Sequence, residues 1–284
     1  DPRCPANLGT DANYPASVLV GTRCRYNYAG VAANEAESDT KSFFLNTNYE
    51  INETTTFFAR GTFTFNESFG RYAPSPFTSP FPLMSSANAN NPTQPGVVSA
   101  ETGGAFGGQS VDTDGDGVAD LDGPFDLSLF YRNAPGGFRD TFIEDTLVDY
   151  LAGVQGTVDW LGGMDWEVSG QWSQSTSNSA SPGLGLSPFL QASIDNGAFD
   201  PHAVNTAWPG PGGDQITAQV AAAATGTADY RTRVALVGGQ VNFDAFQMQN
   251  GAVPVAVGIE YRDDDFDQEY DEQSNSGNFN GSAG

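Results

Sequence analysis

The sharpest chemical motif of the chain is a set of regularly spaced aspartates. Their carboxylates occupy the first, third, fifth and ninth positions of a calcium loop: Asp112, Asp114, Asp116 and Asp120. Alternate carboxylates converge on one hard cation, Gly117 permits the sharp turn, and the carbonyl of Val118 provides the backbone ligand. The spacing predicts a calcium site of modest affinity, roughly 10⁻⁴–10⁻³ M, that orders a long loop.

The motif departs from a full calcium loop at its twelfth position. Gly123 stands where a bidentate glutamate is usual, and Asp122 or Asp126 is a candidate substitute. The segment resembles the calcium-binding units of thrombospondin type 3 and dockerin modules, although those units come in tandem and this chain has one copy. The alternative interpretation is a solvated acidic loop.

The two cysteines indicate an oxidising compartment. Cys4 and Cys24 are the two cysteines, and they flank a segment rich in Pro, Gly and Asn. This pattern predicts a disulfide that closes a loop in an oxidising compartment, with two free thiols as the alternative. We expect no cysteine–histidine metal site, because the single histidine, His202, lies far along the chain.

Composition excludes several classes of function. The chain has 35 acidic and 11 basic residues, for a formal charge of −24, so it has no basic footprint for nucleic acid. The sequence contains no nucleophile elbow, phosphate loop or zinc signature, and we therefore expect no catalysis. Its 20 Phe and 10 Tyr indicate a folded protein, because disordered chains are poor in aromatic residues.

Three predicted β-hairpins position these loops, at about 41–66, 142–175 and 230–262. The clearest is the second, in which apolar and polar residues alternate with period two. One face carries Tyr150, Ala152, Val154, Gly156, Val158 and Trp160 on the first strand and Trp166, Val168, Gly170 and Trp172 on the second. The other face is polar, from Asp149 to Asp159 and from Asp165 to Ser173. Strands of this kind are typical of a transmembrane β-barrel, with lipid outside and water inside.

The other two hairpins repeat the pattern. The apolar face of the first carries Phe43, Leu45, Thr47, Tyr49, Ile51, Phe57, Ala59, Gly61, Phe63 and Phe65, and that of the third carries Val255, Val257, Ile259 and Tyr261. The strand from 230 is ambiguous in face. On the polar faces, Arg60 and Arg262 are expected to form salt bridges with acids such as Glu50 and Glu260, with substrate contacts as the alternative. The acidic run 263–272 is expected to be a solvated loop, with capture of a cation as the alternative.

The connections are strongly asymmetric. Those within the hairpins are short, whereas the loops at about 67–140 and 176–229 are long, which is unusual in compact soluble domains and usual in outer-membrane barrels. Short helices are expected at 188–196 and 214–224. Phe77, Phe81 and Trp208 in these loops are candidates for contacting a ligand or for packing the loops. The alternative architecture, a soluble β-sandwich, would need turns at about every 8–12 residues.

Several segments resemble TonB-dependent outer-membrane receptors. The strand 255–262, with Gly258-Ile259-Glu260-Tyr261-Arg262, is similar to a barrel strand of that family, and 189–201, with Ala192, Ile194 and Phe199, resembles a loop helix that often precedes it. The hairpin 43–65 and the following loop with Asn66, Glu67, Ser68, Ala73 and Pro74 are also similar to the family.

This resemblance implies a barrel of about 22 strands with an N-terminal plug. It also implies energised uptake of a scarce solute, such as a siderophore, cobalamin or saccharide, across the outer membrane of a Gram-negative bacterium. Six strands cannot close a barrel, because the smallest bacterial barrels have about eight. We therefore expect residues 1–284 to be a central part of the barrel, with its ends in loops and with the plug and the contacts to the inner-membrane energising complex outside it. The alternatives are a secreted or cell-surface calcium-stabilised β protein, and a simple porin.

Overall fold

The computed structural model describes most of the chain. The described residues are 17–20, 23–26, 30–33, 35–77, 82–91, 94, 98–99, 104–105, 110–111, 121–122, 124–129, 131–159, 163–199, 218–249 and 251–280. Side chains are described for the parts of these ranges at 30–33, 35–77, 82–91, 94, 124–129 and from 132 onward.

The described residues are mainly strands. In chain order these are β1 (Ser17–Val20), β2 (Arg23–Tyr26), β3 (Glu37–Asn52), β4 (Thr55–Tyr72), β5 (Pro76–Phe77), β6 (Leu83–Met84), β7 (Val98–Ser99), β8 (Gly104–Ala105), β9 (Ser110–Val111), β10 (Leu121–Asp122), β11 (Leu127–Ser128), β12 (Tyr131–Arg132), β13 (Arg139–Val158), β14 (Met164–Leu186), β15 (Ala223–Met248), β16 (Gly251–Tyr270) and β17 (Phe279–Asn280). The helical segments are a 3₁₀ turn at Ala134–Gly136, α1 (Ser187–Asp195), one turn of α-helix at 218–221 and α2 (Glu272–Asn275).

The six long strands form one antiparallel sheet in the order β16-β15-β14-β13-β4-β3. Consecutive strands are neighbours, so the sheet is a meander. The tight connections, such as residues 53–54, lie at one end of the sheet, which we call the short-turn end. The long segments 73–138 and 187–222 leave the opposite end, the long-loop end. The prediction of an all-β antiparallel fold with three hairpins is therefore confirmed.

The strands are longer than predicted. The first hairpin spans 37–72 rather than 41–66, the second spans 139–186, and the third spans 223–270. β15 continues to Met248 through a bulge between Asp244 and Phe246, so its connection to β16 is short. The acidic run expected to be a loop is also strand as far as Tyr270.

The sheet has two chemically different faces, which the strand register fixes. Across β4, β13 and β14, Phe57 lies opposite Val154, which lies opposite Val168. One position along, Phe58 lies opposite Gly153, which lies opposite Ser169. We call the side of Val154 the apolar face and the side of Ser169 the polar face. The faces predicted for the first two hairpins are confirmed, and the ambiguous strand from 230 places Val237 and Val241 on the apolar face.

The buried core lies in the loops rather than in the sheet. Segments at the long-loop end pack into a cluster that we call the loop cap, with core residues Phe77, Met84, Leu129, Leu190, Ile194, Phe199, Ala218 and Ala222. Two short antiparallel pairs, β5 with β12 and β6 with β11, link its strands. Leu190 and Ile194 stand four residues apart on one side of α1, so a single helical face is buried.

The helices agree in part with the sequence. The helix predicted at 188–196 is confirmed as α1, which starts with Pro188 in its first turn, where a missing N–H is tolerated. The helix predicted at 214–224 is described only at 218–221, and Ala223 already begins β15. Within the described residues, none of the helices is long and apolar enough to cross a membrane.

Candidate functional site

A carboxylate lies at the centre of the polar face. Asp149 Oδ2 accepts a hydrogen bond of 2.6 Å from Gln171 Nε2, and its Oδ1 lies 3.6 Å from Arg60 Nη2. The three residues come from neighbouring strands, because β13 pairs with β4 on one side and with β14 on the other. The predicted salt bridges of the polar face therefore exist, but Arg60 pairs with Asp149 and not with Glu50.

The second predicted bridge is local. Arg262 Nε lies 2.9 Å from Asp264 Oδ2, two residues along β16, rather than near Glu260. Residues i and i+2 share a face of a strand, so this pair is also on the polar face. The sequence identified both arginines. Which acid each arginine contacts depends on the strand register and on the side-chain conformation, which the sequence does not give.

Two recesses lie on the sheet. The first, of about 400 Å³, is next to Asp149 on the polar face and is lined by Phe44, Arg60, Thr62, Leu147, Asp149 and Ser173. The second, of about 410 Å³, is at the short-turn end and is lined mainly by polar groups such as Glu53, Gln155, Asp165, Glu167 and Gln240. Hydroxyl, amide and charged groups thus border both, which suits a surface in contact with water or a hydrophilic solute.

The apolar face is exposed along its full width. Its large side chains with high exposed fractions are Phe43 (64%), Tyr49 (66%), Tyr150 (56%), Val168 (54%), Val237 (59%), Val257 (55%), Ile259 (82%) and Tyr261 (70%). Monomeric soluble proteins rarely expose contiguous apolar patches larger than a few hundred Å². Larger exposed apolar surfaces commonly mark a contact with protein, lipid or ligand.

The apolar face ends at a belt of charge toward the long-loop end. Toward this end, the next residues of β15 on the same face after Ala235 are Arg233 and Arg231. The guanidinium group of Arg233 lies 3.6 Å from Asp265 of β16, and that of Arg231 lies 2.6 Å from Asp267. These cross-strand pairs explain why the acidic run is strand and not loop. Strand pairing places Asp265 and Asp267 next to a base, which the sequence of β16 alone does not reveal.

The loop cap is attached to the sheet by the segment after β16. Asp271 Oδ2 accepts a hydrogen bond of 2.8 Å from Thr227 N, and Oδ1 accepts from the backbone N–H groups of Gln273 and Ser274. Burial alone raises the pKa of Asp271, but the hydrogen bonds from Ser274, Thr227 and Gln273 outweigh it, so its pKa is lowered overall. The sequence analysis placed Asp271 in the acidic run and missed its role as a helix cap, although Asp before a short helical turn is a capping signal.

The rest of that segment continues onto the cap. Ser187 N donates to the carbonyl of Asn278, at 2.9 Å, and β17 pairs with the end of β14. The Oγ of Ser75 donates to the carbonyl of Asn280. The start of α1 and the loop at 73–77 are therefore both held by residues from the far end of the described chain.

The aromatic residues predicted in the loops have different outcomes. Phe77 is fully buried in the loop cap, so it packs the loops and is not available to a ligand. Phe81, Trp208 and His202 lie outside the described residues. Of the tryptophans predicted on the apolar face of the second hairpin, Trp160 also lies outside the described residues, and Trp166 lies on that face over Gly156.

The predicted calcium ligands Asp112, Asp114, Asp116, Val118 and Asp120 lie outside the described residues. The flanking backbone is described, and β9 and β10 pair antiparallel, with Val111 opposite Leu121 and Ser110 opposite Asp122. The two ends of the aspartate segment therefore lie next to each other. No metal-binding group of three or more His, Cys, Asp or Glu side chains is found in the part of the chain that the structure describes.

Asp126, a candidate for the missing calcium ligand, has a partner of its own. Its Oδ1 accepts a hydrogen bond of 2.5 Å from Ser86 N. The hydrogen bonds from the backbone and side chain of Ser86 lower the pKa of Asp126. This carboxylate therefore stabilises the turn at Ser86.

The predicted disulfide is not tested by the described residues. Cys4 lies outside them, and only the backbone of Cys24 is described, in β2. β2 pairs antiparallel with β1, and Leu19 lies opposite Cys24. The disulfide between Cys4 and Cys24 stays a prediction.

Comparisons with known proteins add no relatives: no family model, no curated protein and no solved structure matches the chain.

Proposed function

We propose that the chain is a wall segment, with its loops, of an outer-membrane β-barrel receptor of the TonB-dependent type. In this proposal the apolar face contacts lipid, the polar face borders an aqueous lumen, and the loop cap on the outer side captures a scarce solute. The solute is of the siderophore, cobalamin or saccharide type. The single observation that carries the proposal is the exposed apolar face of a sheet whose other face is polar.

The height of the apolar face supports this assignment. On β14 the apolar run extends from Met164 to Trp172, after which Gln174 takes the same face. A transmembrane β-strand needs about 9–11 residues at a tilt of about 45°, and this run has that length. Aromatic residues mark both boundaries: Trp166 lies near the short-turn end, and Tyr150, opposite Trp172, lies near the long-loop end. Barrel strands carry such aromatic girdles at both interfaces.

The location of the buried core supports different roles for the sheet, as a wall, and for the loop cap, as the ligand-binding part. A soluble sheet would bury one face against a second layer, but the buried hydrophobic cluster of the described residues belongs to the loop cap. A rigid cap on long loops is suited to ligand capture, because loops held by a scaffold commonly carry binding residues.

A site-specific label tests the assignment of the faces. We would replace Cys4 and Cys24 by Ser and place a polarity-sensitive fluorophore on Val168→Cys or, as the matched control, on Ser169→Cys. Adjacent residues of one strand point to opposite faces. With the chain reconstituted in phospholipid vesicles, we expect blue-shifted emission and quenching by brominated acyl chains at 168, and quenching by aqueous iodide at 169. Equal exposure of both labels to iodide would exclude the membrane assignment.

A second function is favoured by a different observation. The paired ends of the aspartate segment at β9 and β10 suit a loop folded around a cation, and a calcium-stabilised secreted or cell-surface β protein would use it as a structural unit. Such a protein remains monomeric in buffer without detergent, whereas a barrel wall needs an amphiphile. Sedimentation in buffer and in detergent discriminates the two.

Calcium binding itself has a separate test that applies to either function. Asp116→Asn removes a carboxylate from the predicted ligand set, and Asp165→Asn removes one from the polar face as a matched control. Calorimetric titration with calcium should give binding at about 10⁻⁴–10⁻³ M for the parent and the control, and a loss of about tenfold or more in affinity for Asp116→Asn. Equal heats for all three proteins would leave the segment as a solvated acidic loop.

A further inference from the structure

The sheet has two edges among the described residues. β16 pairs along one side only, with β15, and β3 pairs along one side only, with β4. Every second residue of such a strand directs its backbone N–H and C=O away from the sheet, which is a template for another strand. β16 is long, at 20 residues, and residues 256–269 are exposed.

The edge of β16 has a sharp chemical division. Its first half carries Val255, Val257, Ile259 and Tyr261 on the apolar face. On the same face, its second half carries Asp263, Asp265, Asp267 and Glu269. The strand therefore changes from entirely apolar to entirely acidic within one face.

The acids of this half are only partly balanced by β15. Asp265 and Asp267 have Arg233 and Arg231 opposite them. Asp263 lies opposite Ala235. Glu269 lies opposite Asp229, and like charges directly opposite each other destabilise a sheet. The excess of negative charge therefore lies on the outermost strand, next to the side on which the described residues place no strand.

A second copy of the chain, added through its β3 edge, does not fit this edge. β3 is antiparallel to β16, and aligning the apolar residues Leu45 and Tyr261 sets the register of a contact between copies. That register places Asp39 beside Asp267 and Glu37 beside Glu269, two repulsive pairs, and gains one favourable pair, Lys41 with Asp265.

We propose that the edge of β16 receives an antiparallel strand with basic side chains. The partner strand is apolar opposite Val255 to Tyr261 and carries Arg or Lys opposite Asp263 to Glu269, on the same face. Main-chain hydrogen bonds provide the general affinity of strand addition, and side chains provide its specificity. The inference concerns the edge of the sheet and goes beyond the proposed contact of its faces with lipid and water.

Synthetic strands test the proposal with the full chain in detergent micelles. Two peptides as long as β16 share one alternating apolar pattern, and carry either Arg or Glu at the positions that face Asp263, Asp265, Asp267 and Glu269. We expect the Arg peptide to bind about tenfold more tightly by fluorescence polarisation, with a preference that falls as salt is raised. Hydrogen exchange should slow in β16 and stay unchanged in β3.

Variants locate the effect. Asp263→Asn combined with Glu269→Gln should reduce the preference for the Arg peptide, and Asp39→Asn on the other edge should leave it unchanged. Equal binding of both peptides, or protection of β3 instead, would overturn the proposal. A dimer in micelles with both edges protected would overturn it in favour of a second copy. The labels at 168 and 169 test the lipid contact independently, so a failure of either proposal is distinguishable from a failure of the other.

Discussion

The rings of Tyr150 and Trp172 stack across β13 and β14, with centroids 6.1 Å apart and an angle of 15° between their planes. Tyr150 is 56% exposed and Trp172 is 40% exposed, so this aromatic pair forms on an open surface. Cβ groups of residues directly opposite in a sheet are close enough for such contacts. The pair lies where the apolar face meets the charged belt.

This pair should contribute to stability beyond its area. In the double-mutant cycle of Tyr150→Ala and Trp172→Ala, we expect a coupling energy of about 0.5–1.5 kcal/mol, because aromatic pairs interact through their ring quadrupoles. The measurement is the free energy of unfolding by urea in detergent micelles, with Val168→Ala and Tyr150→Ala as the cycle for a more distant pair. Purely additive losses at positions 150 and 172 would mean that the stack has no energetic role.

Gly153 should not tolerate a side chain, whereas Gly170 should. A Cβ at Gly153 would lie 2.5 Å from the ring of Phe58 and 2.7 Å from the carbonyl oxygen of Val168, which is backbone and cannot move away. We expect Gly153→Ala to lower the free energy of unfolding by about 1–3 kcal/mol. A Cβ at Gly170 would have its nearest neighbour at 3.6 Å, so Gly170→Ala should be neutral or stabilising by about 0.4–1 kcal/mol.

The ion pair between Arg60 and Asp149 on the polar face should contribute little to the free energy of unfolding. The side chain of Arg60 is 45% exposed and that of Asp149 is 15% exposed, so water screens their attraction. We expect the double-mutant cycle of Arg60→Ala and Asp149→Ala to give about 0.2–1 kcal/mol, decreasing as salt is raised. The pair Lys41 and Asp39, with both side chains more than half exposed, is the matched control at the edge of the sheet. A coupling well above that range would indicate a water-excluded polar face.

Asp271 should make attachment of the loop cap dependent on pH. Its pKa is lowered in the folded protein, so its contribution to stability is complete above the ordinary aspartate pKa of about 3.9 and is lost as the pH falls through the lowered value. Asp271→Ala should cost about 1 kcal/mol at neutral pH, as for other helix caps, and should remove this part of the acid sensitivity. Hydrogen exchange of the Thr227 and Ser274 amides as a function of pH measures this loss of stability. Asp264→Ala on β16 is the control.

The loop cap should depend on one face of α1. Leu190 is fully buried, and Leu190→Ala is expected to destabilise the cap by about 2–5 kcal/mol because it leaves a cavity. Phe189, its neighbour, is 52% exposed, so Phe189→Ala should change stability by less than about 0.5 kcal/mol. Proteolysis within 187–199 measures both. Similar susceptibility of the two variants would contradict the observed packing.

The sequence predicted the sheet where alternation is strong. From Tyr150 to Val158 and from Trp166 to Trp172, apolar residues recur with period two, and the register places them on one face as expected. The alternation is lost from Asp263 to Glu269, where Phe266 is the single apolar residue. In this part of the strand, the arginines of β15 pair with Asp265 and Asp267. Single-strand patterns do not contain such cross-strand information.

The sequence did not predict the packing of the loop cap, because the contacts that form it are distant along the chain. Met84 and Ile194 belong to one core but are separated by more than a hundred residues, and no local period links them. Asn88 Nδ2 donates to the carbonyl of Ile194, and Gln191 pairs through its side-chain amide with the backbone of Leu83. These contacts depend on the path of two long loops, whereas α1 itself was predicted from local spacing.

The location of the core also has a calorimetric consequence. The increase in heat capacity on unfolding comes from apolar surface that becomes exposed to water. Most of the apolar surface that the fold buries belongs to the cluster around Phe77 and Leu190, because the large residues of the sheet are exposed. A scan of the chain in detergent micelles should therefore give a heat-capacity step that corresponds to a domain of the size of the cap and not to 284 residues.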